Sequence, residues 1–238
     1  MKTSAYVAVA AIAAAAGFLV YHYAIAPREQ MAAVVTEDPQ GGAVTEESSA
    51  RPSSPYGINK LAGEWYHLLY NDVYGIRACA LRLTNTYGPG MRVKDARQTF
   101  LGIWIRQLIE QKPIQVFGTG EQRRDFNFVT DVVEALLSAA ASDASAGQIF
   151  NLGHREHVSL KELAELLVRM NGGGRYEVIP FPEDRKPIDI GDYYADFRKI
   201  ETMLGWSPQV TLESGLQETL KYYRRHHAHY WEQSTISS

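Results

Sequence analysis

Tyr56 and Lys60 stand four positions apart in SPYGINKLAGEW, residues 54–65. In a helix that spacing puts both side chains on one face. A tyrosine phenol titrates near about 10, too high for a base at neutral pH. A neighbouring ammonium favours the phenolate, and each unit of lowering needs about 1.4 kcal/mol of differential interaction. Such a pair can pass a proton to or from a sugar hydroxyl while hydride moves to a nicotinamide. The same spacing also occurs on solvated helix faces, so the pair gains meaning only from what surrounds it.

The surrounding pattern supplies a helix over residues 56–72, with Leu61, Trp65, Leu68 and Leu69 along one side. GIRACALRL, 75–83, reads as a strand and the turn-rich TNTYGPG follows it. TFLGIWIRQLIEQ predicts a helix, IQVFG and RDFNFV strands, and TDVVEALLSAAA a helix capped by Thr130. QIFNLG reads as a strand. SLKELAELLVRM reads as a helix capped by Ser159 and ended by the glycines at 172–174. YEVIP is a further strand, and two more helices start near Asp196 and Leu212. Strands alternating with helices of this length predict an α/β fold with a largely parallel sheet.

The 238 residues carry a formal net charge of -3, which points to neither a nucleic-acid partner nor an anionic membrane surface. The single cysteine, Cys79, rules out an intramolecular disulfide. Residues 4–26 contain no Asp, Glu, Lys or Arg and are long enough to span a bilayer as a helix. Their alanine content makes insertion weak, so a membrane anchor, a signal-like segment and a non-anchoring apolar stretch all stay open. Residues 27–55 are rich in Pro, Gly, Ser and Glu and read mostly as loop. The resulting division is 1–30 apolar, 31–55 loop or domain remnant, and 56–238 the folded α/β part. HHAH at 226–229 reads as an exposed polar helix end, and no metal is expected.

Five stretches occur in order: SPYGINKLAGE, LRLTNTYGPG, FGTGEQRRDFNFVTDVVEA, FNLG and YYADFRKIETMLGWSP. Together they resemble the extended short-chain dehydrogenase/reductase family, specifically its NAD-dependent nucleotide-sugar epimerases and dehydratases such as UDP-glucose 4-epimerase. The resemblance covers about residues 39–220. It implies the C-terminal part of a Rossmann-like parallel sheet joined to a small α/β substrate-binding domain, after the N-terminal apolar helix. It implies NAD as cofactor and a nucleotide sugar as substrate, and a homodimer stays open. Tyr56 would be the catalytic acid/base, and Lys60 its partner and a ligand of the nicotinamide ribose. Tyr87, in TYGPG, would lie near the nicotinamide. Asn85 would contact the sugar nucleotide and Arg124 would grip its diphosphate. Arg185 or Lys186, with Asp189, would form a second phosphate-binding group.

Two family features do not read out. No GxxGxxG turn, which sets a pyrophosphate on a helix N-terminus, occurs in the sequence. The position of the family's catalytic Ser or Thr falls at Met31 or Ala32, neither of which can donate. Three readings follow. One is an NAD-dependent nucleotide-sugar epimerase impaired as it stands. The second is a non-catalytic, truncated or membrane-tethered sugar-nucleotide-binding module. The third is an ordinary enzyme whose first 33 or so residues are read in the wrong frame. For an enzyme, the cytoplasm is the expected location, with the folded part on that side of any anchor.

Overall fold

The computed structural model describes residues 43–52, 55–94, 100–182 and 191–231. The apolar segment, Met31, Ala32, Arg185, Lys186 and Asp189 therefore lie outside the described residues, and so does the N-terminal helix expected over 4–26. Among the described residues, no helix is long and apolar enough to cross a membrane.

The chain runs α1 (Pro55–Tyr74), β1 (Ala80–Leu83), β2 (Asn85–Tyr87), α2 (Phe100–Ile109), β3 (Ile114–Phe117), β4 (Arg123–Phe128) and α3 (Val129–Ala141). After a short 3-10 turn, Asp143–Ser145, come β5 (Ile149–Leu152), β6 (His157–Ser159), α4 (Leu160–Asn171), β7 (Tyr176–Ile179), α5 (Arg198–Leu204) and α6 (Leu212–Tyr230). The expected alternation of strand and helix is present. The sheet is divided, however: β1 pairs with β5, β3 pairs with β7, and β2, β4 and β6 form a three-stranded sheet. The β1–β5, β2–β4 and β3–β7 pairs are parallel, as a chain with helical crossovers requires. β6 adds an antiparallel edge to β4, with Arg124 opposite Val158.

Local chemistry explains most boundaries. Ser159 accepts from the Glu162 amide while the Glu162 carboxylate accepts from the Ser159 amide, a reciprocal cap that starts α4. Gly172, at φ 73°, ends it in the left-handed conformation. The start of α3 departs from expectation. Thr130 lies inside the helix and Phe128 occupies the cap position without a side-chain bond. The carboxylate of Asp131 turns outward from this first turn instead, accepting from the Gln209 and Val210 amides at 3.1 and 3.0 Å. The Asp131 carbonyl accepts from the Trp206 indole at 2.9 Å. One residue therefore fastens the loop before α6 to the start of α3.

Two apolar cores result. The larger joins α2, β3, α4 and α6 through Trp104, Ile105, Ile114, Leu163, Leu167, Leu216 and Tyr223. The smaller joins β5, α3 and α5 through Phe150, Leu152, Val132, Ala135, Ile200 and Trp206. α1 enters neither: Gly57 is its sole buried residue, and Trp65 and Leu69, of the side expected from periodicity, are 63% and 48% exposed.

At Gly215, in the first turn of α6, a Cβ would overlap the Tyr87 hydroxyl and press on Phe128. Gly215→Ala is expected to lower stability by about 1–3 kcal/mol, the usual range for overfilling a packed core. Chemical denaturation followed by circular dichroism checks this, and an unchanged midpoint would contradict the packing described.

Candidate active site

α1 begins at Pro55, whose fixed φ suits a first helical turn. Tyr56 and Lys60 follow on one face, and the Lys60 ammonium lies 5.3 Å from the centroid of the Tyr56 ring. A cation at that distance is attracted by the electron-rich face of the ring. Glu64, one turn further along, forms a two-pronged ion pair with Arg82 of β1. Arg82 Nε donates to one Glu64 oxygen and Nη2 to the other, both at 2.8 Å. Arg82 Nη1 also donates to the Glu46 carbonyl at 3.2 Å. Glu64 raises the pKa of the guanidinium. Because the pair is largely shielded from water, it fixes the helix to the strand more firmly than a surface pair would.

Three residues after Arg82 stands Asn85, at most about 10 Å along an extended chain. Asn85 pairs with Phe126 across β2–β4, and its side-chain amide donates to the Asp125 carbonyl at 2.9 Å. This places it beside Arg124. The Arg124 guanidinium donates to the Arg123 carbonyl at 2.8 Å and to the Gly191 carbonyl, and its backbone bridges to Tyr193. Arg124 thus sits next to the chain that leads back to Arg185 and Asp189, although those two lie outside the described residues. Tyr193 lies within electrostatic range of both arginines. Burial and the Asp125 carboxylate push its phenol up to about 12, and Arg82 and Arg124 oppose that rise.

Tyr87 departs from its expected place. Its ring is packed edge-on against Phe126 and Phe128, 1% exposed, and the phenol donates to the Leu212 carbonyl. The side chain belongs to the core. Any ligand contact from TYGPG must come from other atoms of that turn.

The sequence reading missed Asp125, which is completely buried between Arg124 and the core. One carboxyl oxygen accepts from the His154 and Ala195 amides, both at 3.2 Å, and the Thr84 side chain also interacts with the carboxyl. Burial pushes this carboxyl from its usual 3.8 up to about 7, despite those amides. A carboxyl in so dry a site keeps its proton to higher pH than one in water. The signal was present in RDF, but an Asp beside an Arg reads equally well as a surface ion pair.

Comparison with known proteins follows the same lines. The model of the NAD dependent epimerase/dehydratase family matches residues 7–153. A Bacillus subtilis protein called an uncharacterised UDP-glucose epimerase is 31% identical over 181 residues, covering 76% of this chain and 55% of the relative. A UDP-glucose 4-epimerase structure from Thermotoga maritima, solved with UDP-glucose, has a TM-score of 0.72 at 28% identity. It covers 82% of this chain and 62% of the other. A UDP-glucuronic acid 4-epimerase from Bacillus cereus, in complex with UDP-glucuronic acid and NAD, has a TM-score of 0.69 at 28% identity, covering 83% and 60%. The chain spans about half the length of the curated relatives it matches.

The proton on Asp125 gives a pH signature. Its folded pKa lies above the unfolded value, so its contribution to stability is complete below about pH 4 and is lost as pH rises through about 7. The loss should be on the order of 4 kcal/mol. Asp125→Asn mimics the protonated group and should gain stability relative to the parent between pH 5 and pH 8, values spanning roughly that window. Urea denaturation at both pH values checks this; a difference independent of pH would contradict it.

Proposed function

Because the chain belongs to the NAD dependent epimerase/dehydratase family, we propose that it acts on a nucleotide sugar as a UDP-glucose 4-epimerase does, with Tyr56 as the proton-transfer group. The observation that carries this reading is the Lys60 ammonium over the Tyr56 ring, on a helix fixed to β1 through Glu64 and Arg82. Tyr56 would take the proton of a sugar hydroxyl and later return it, with Lys60 lowering the cost of the phenolate. Arg124 would present a planar, permanently charged group to the diphosphate, oriented by Gly191. Asn85, held by the Asp125 carbonyl, would contact the sugar nucleotide. Arg185, Lys186 and Asp189 stay candidates for a second phosphate contact.

The residues fit one end of NAD. Tyr56 and Lys60 suit the nicotinamide ribose, and bound NAD would supply the hydride acceptor. At two of the described helix N-termini the pyrophosphate would meet an occupied cap. No GxxGxxG occurs in the sequence, and the N-termini of α4 and α6 are filled by Ser159 and Thr211. A second reading stands beside the enzymatic one, a sugar-nucleotide-binding module without catalysis. In the enzymatic reading the substrates point to the cytoplasm as the site of action.

Two measurements separate the readings. A hybrid of residues 56–238 behind the nucleotide-binding half of a related epimerase is expected to turn over a UDP- or dTDP-hexose. Tyr56→Phe should then cut kcat by at least about 10²-fold. Arg124→Leu should chiefly weaken substrate binding. An active hybrid indifferent to Tyr56→Phe would remove the proposed acid/base role. For the 238-residue chain itself, calorimetry is expected to show no tight NAD binding; a Kd of about 1 μM would overturn the module reading.

A further inference from the structure

Tyr56, Lys60 and Glu64 form a row at successive turns of α1. In an isolated helix Lys60 and Glu64, four apart, attract one another. A carboxylate drawn onto Lys60 would pull the ammonium from Tyr56 and add negative charge nearby. Both effects disfavour a phenolate. In the folded protein the Glu64 carboxylate is committed elsewhere, since each of its oxygens accepts from Arg82 at 2.8 Å. The Lys60 ammonium meanwhile lies over the Tyr56 ring.

We propose that Arg82 is a positioning residue for proton transfer: by holding both oxygens of Glu64, it keeps that carboxylate off Lys60 and directs the Lys60 charge to Tyr56. The inference rests on the acid/base reading of Tyr56 and extends it to a strand residue whose described contacts are with Glu64 and Glu46. A guanidinium suits the task because its fork occupies both oxygens at once, which a lysine cannot do. Arg82 is itself fixed from a third side, through Nη1 to the Glu46 carbonyl. The Glu46 carboxylate is occupied too, accepting from the Asn151 amide at 2.7 Å. Other charged or titratable groups also lie around this row among the described residues. Glu47 lies on the 43–52 segment, and Lys199 on α5 lies 5.4 Å from the centroid of the Phe150 ring. Tyr193 neighbours Arg82, and His67, the next turn of α1, has its ring nitrogen 2.7 Å from the Gly63 carbonyl. Of these, Glu64 is the carboxylate placed by helix spacing to reach Lys60.

The experiment is a pH titration of the full chain labelled with 13Cζ-tyrosine and followed by NMR, with Tyr56→Phe identifying the Tyr56 signal. Arg82→Met should move the Tyr56 midpoint up by about 1 in pH, the scale of one lost charge neighbour. Arg82→Met combined with Glu64→Gln should return it close to the parent value, because the competing carboxylate is gone. A purely structural Arg82 predicts no such return, so equal displacement in the single and double variants would overturn the proposal. No displacement in Arg82→Met would overturn it as well. Should Arg82→Met not fold, Arg82→Lys carries the test: a smaller upward movement supports the proposal and none overturns it. Lys60→Met in the parent background separates the two levels of argument. If it leaves Tyr56 unmoved, the acid/base reading fails and the role of Arg82 falls with it. If it moves Tyr56 while Arg82→Met does not, only the role of Arg82 falls.

Discussion

The buried carboxyl of Asp125 is the point through which the candidate site is assembled. Three segments converge on it: β4, which carries it; the loop after β5, through the His154 amide; and the 191–197 segment, through the Ala195 amide. A single acceptor oxygen holding two amides in a dry interior fixes both chains, since leaving either amide unpaired there would be costly. Around that junction the approach is close enough that a Cβ at Gly153 would overlap the Ala195 carbonyl. Arg124 and Asn85 take their positions from the same strand. The group that orders the site is thus a structural one, and the residues proposed to meet a ligand are arranged around it.

A second level of order comes from ion pairing across secondary structure. α1 makes little apolar contact, with Gly57 alone buried, yet the proposed proton transfer would need a fixed orientation of Tyr56 and Lys60. Glu64 and Arg82 provide it by charge and hydrogen-bond geometry. The outer face of α1 carries Ile58, Trp65, Tyr66, Leu69, Tyr70, Val73 and Tyr74 in contact with solvent. A helix with so much exposed apolar surface has a face suited to another layer of protein. The relatives, which are longer than this chain, are the setting in which such a layer would be sought.

The polar network continues beyond the site into the small core. Asn127 donates to the Thr84 hydroxyl at 2.8 Å and to the Leu152 carbonyl at 3.3 Å, joining the three-stranded sheet to the β1–β5 pair. His154 adds a further tie: its ring is 3.1 Å from the Val210 carbonyl and accepts from the Glu156 amide. Together with Asp131, these bonds explain how three small sheets and two apolar cores behave as neighbours in one fold. Hydrophobic burial makes each core, and directional polar contacts set their relation.

The sequence by itself determined the elements whose causes are local. Helical periodicity placed most helices, Ser159 with Glu162 marked the start of α4, and the glycine at 172 marked its end. The family motifs put Tyr56 and Lys60 on one helix face, because four residues make one turn whatever the fold. Tertiary structure alone decided what each position meets. Trp65 and Leu69 read as one side of a helix, and that side lies exposed, since periodicity gives a face but not its neighbour. Tyr87 read as a ligand contact and fills the core, because an aromatic beside a glycine turn has the same spelling in either role. Thr130 read as a cap, but the chain enters α3 directly from β4 and leaves Asp131 to hold a distant loop. Asp125 and Arg82 owe their roles to partners 29 and 18 residues away, as well as to burial. No local pattern encodes such pairings; they arise where strands far apart in the chain come to lie side by side.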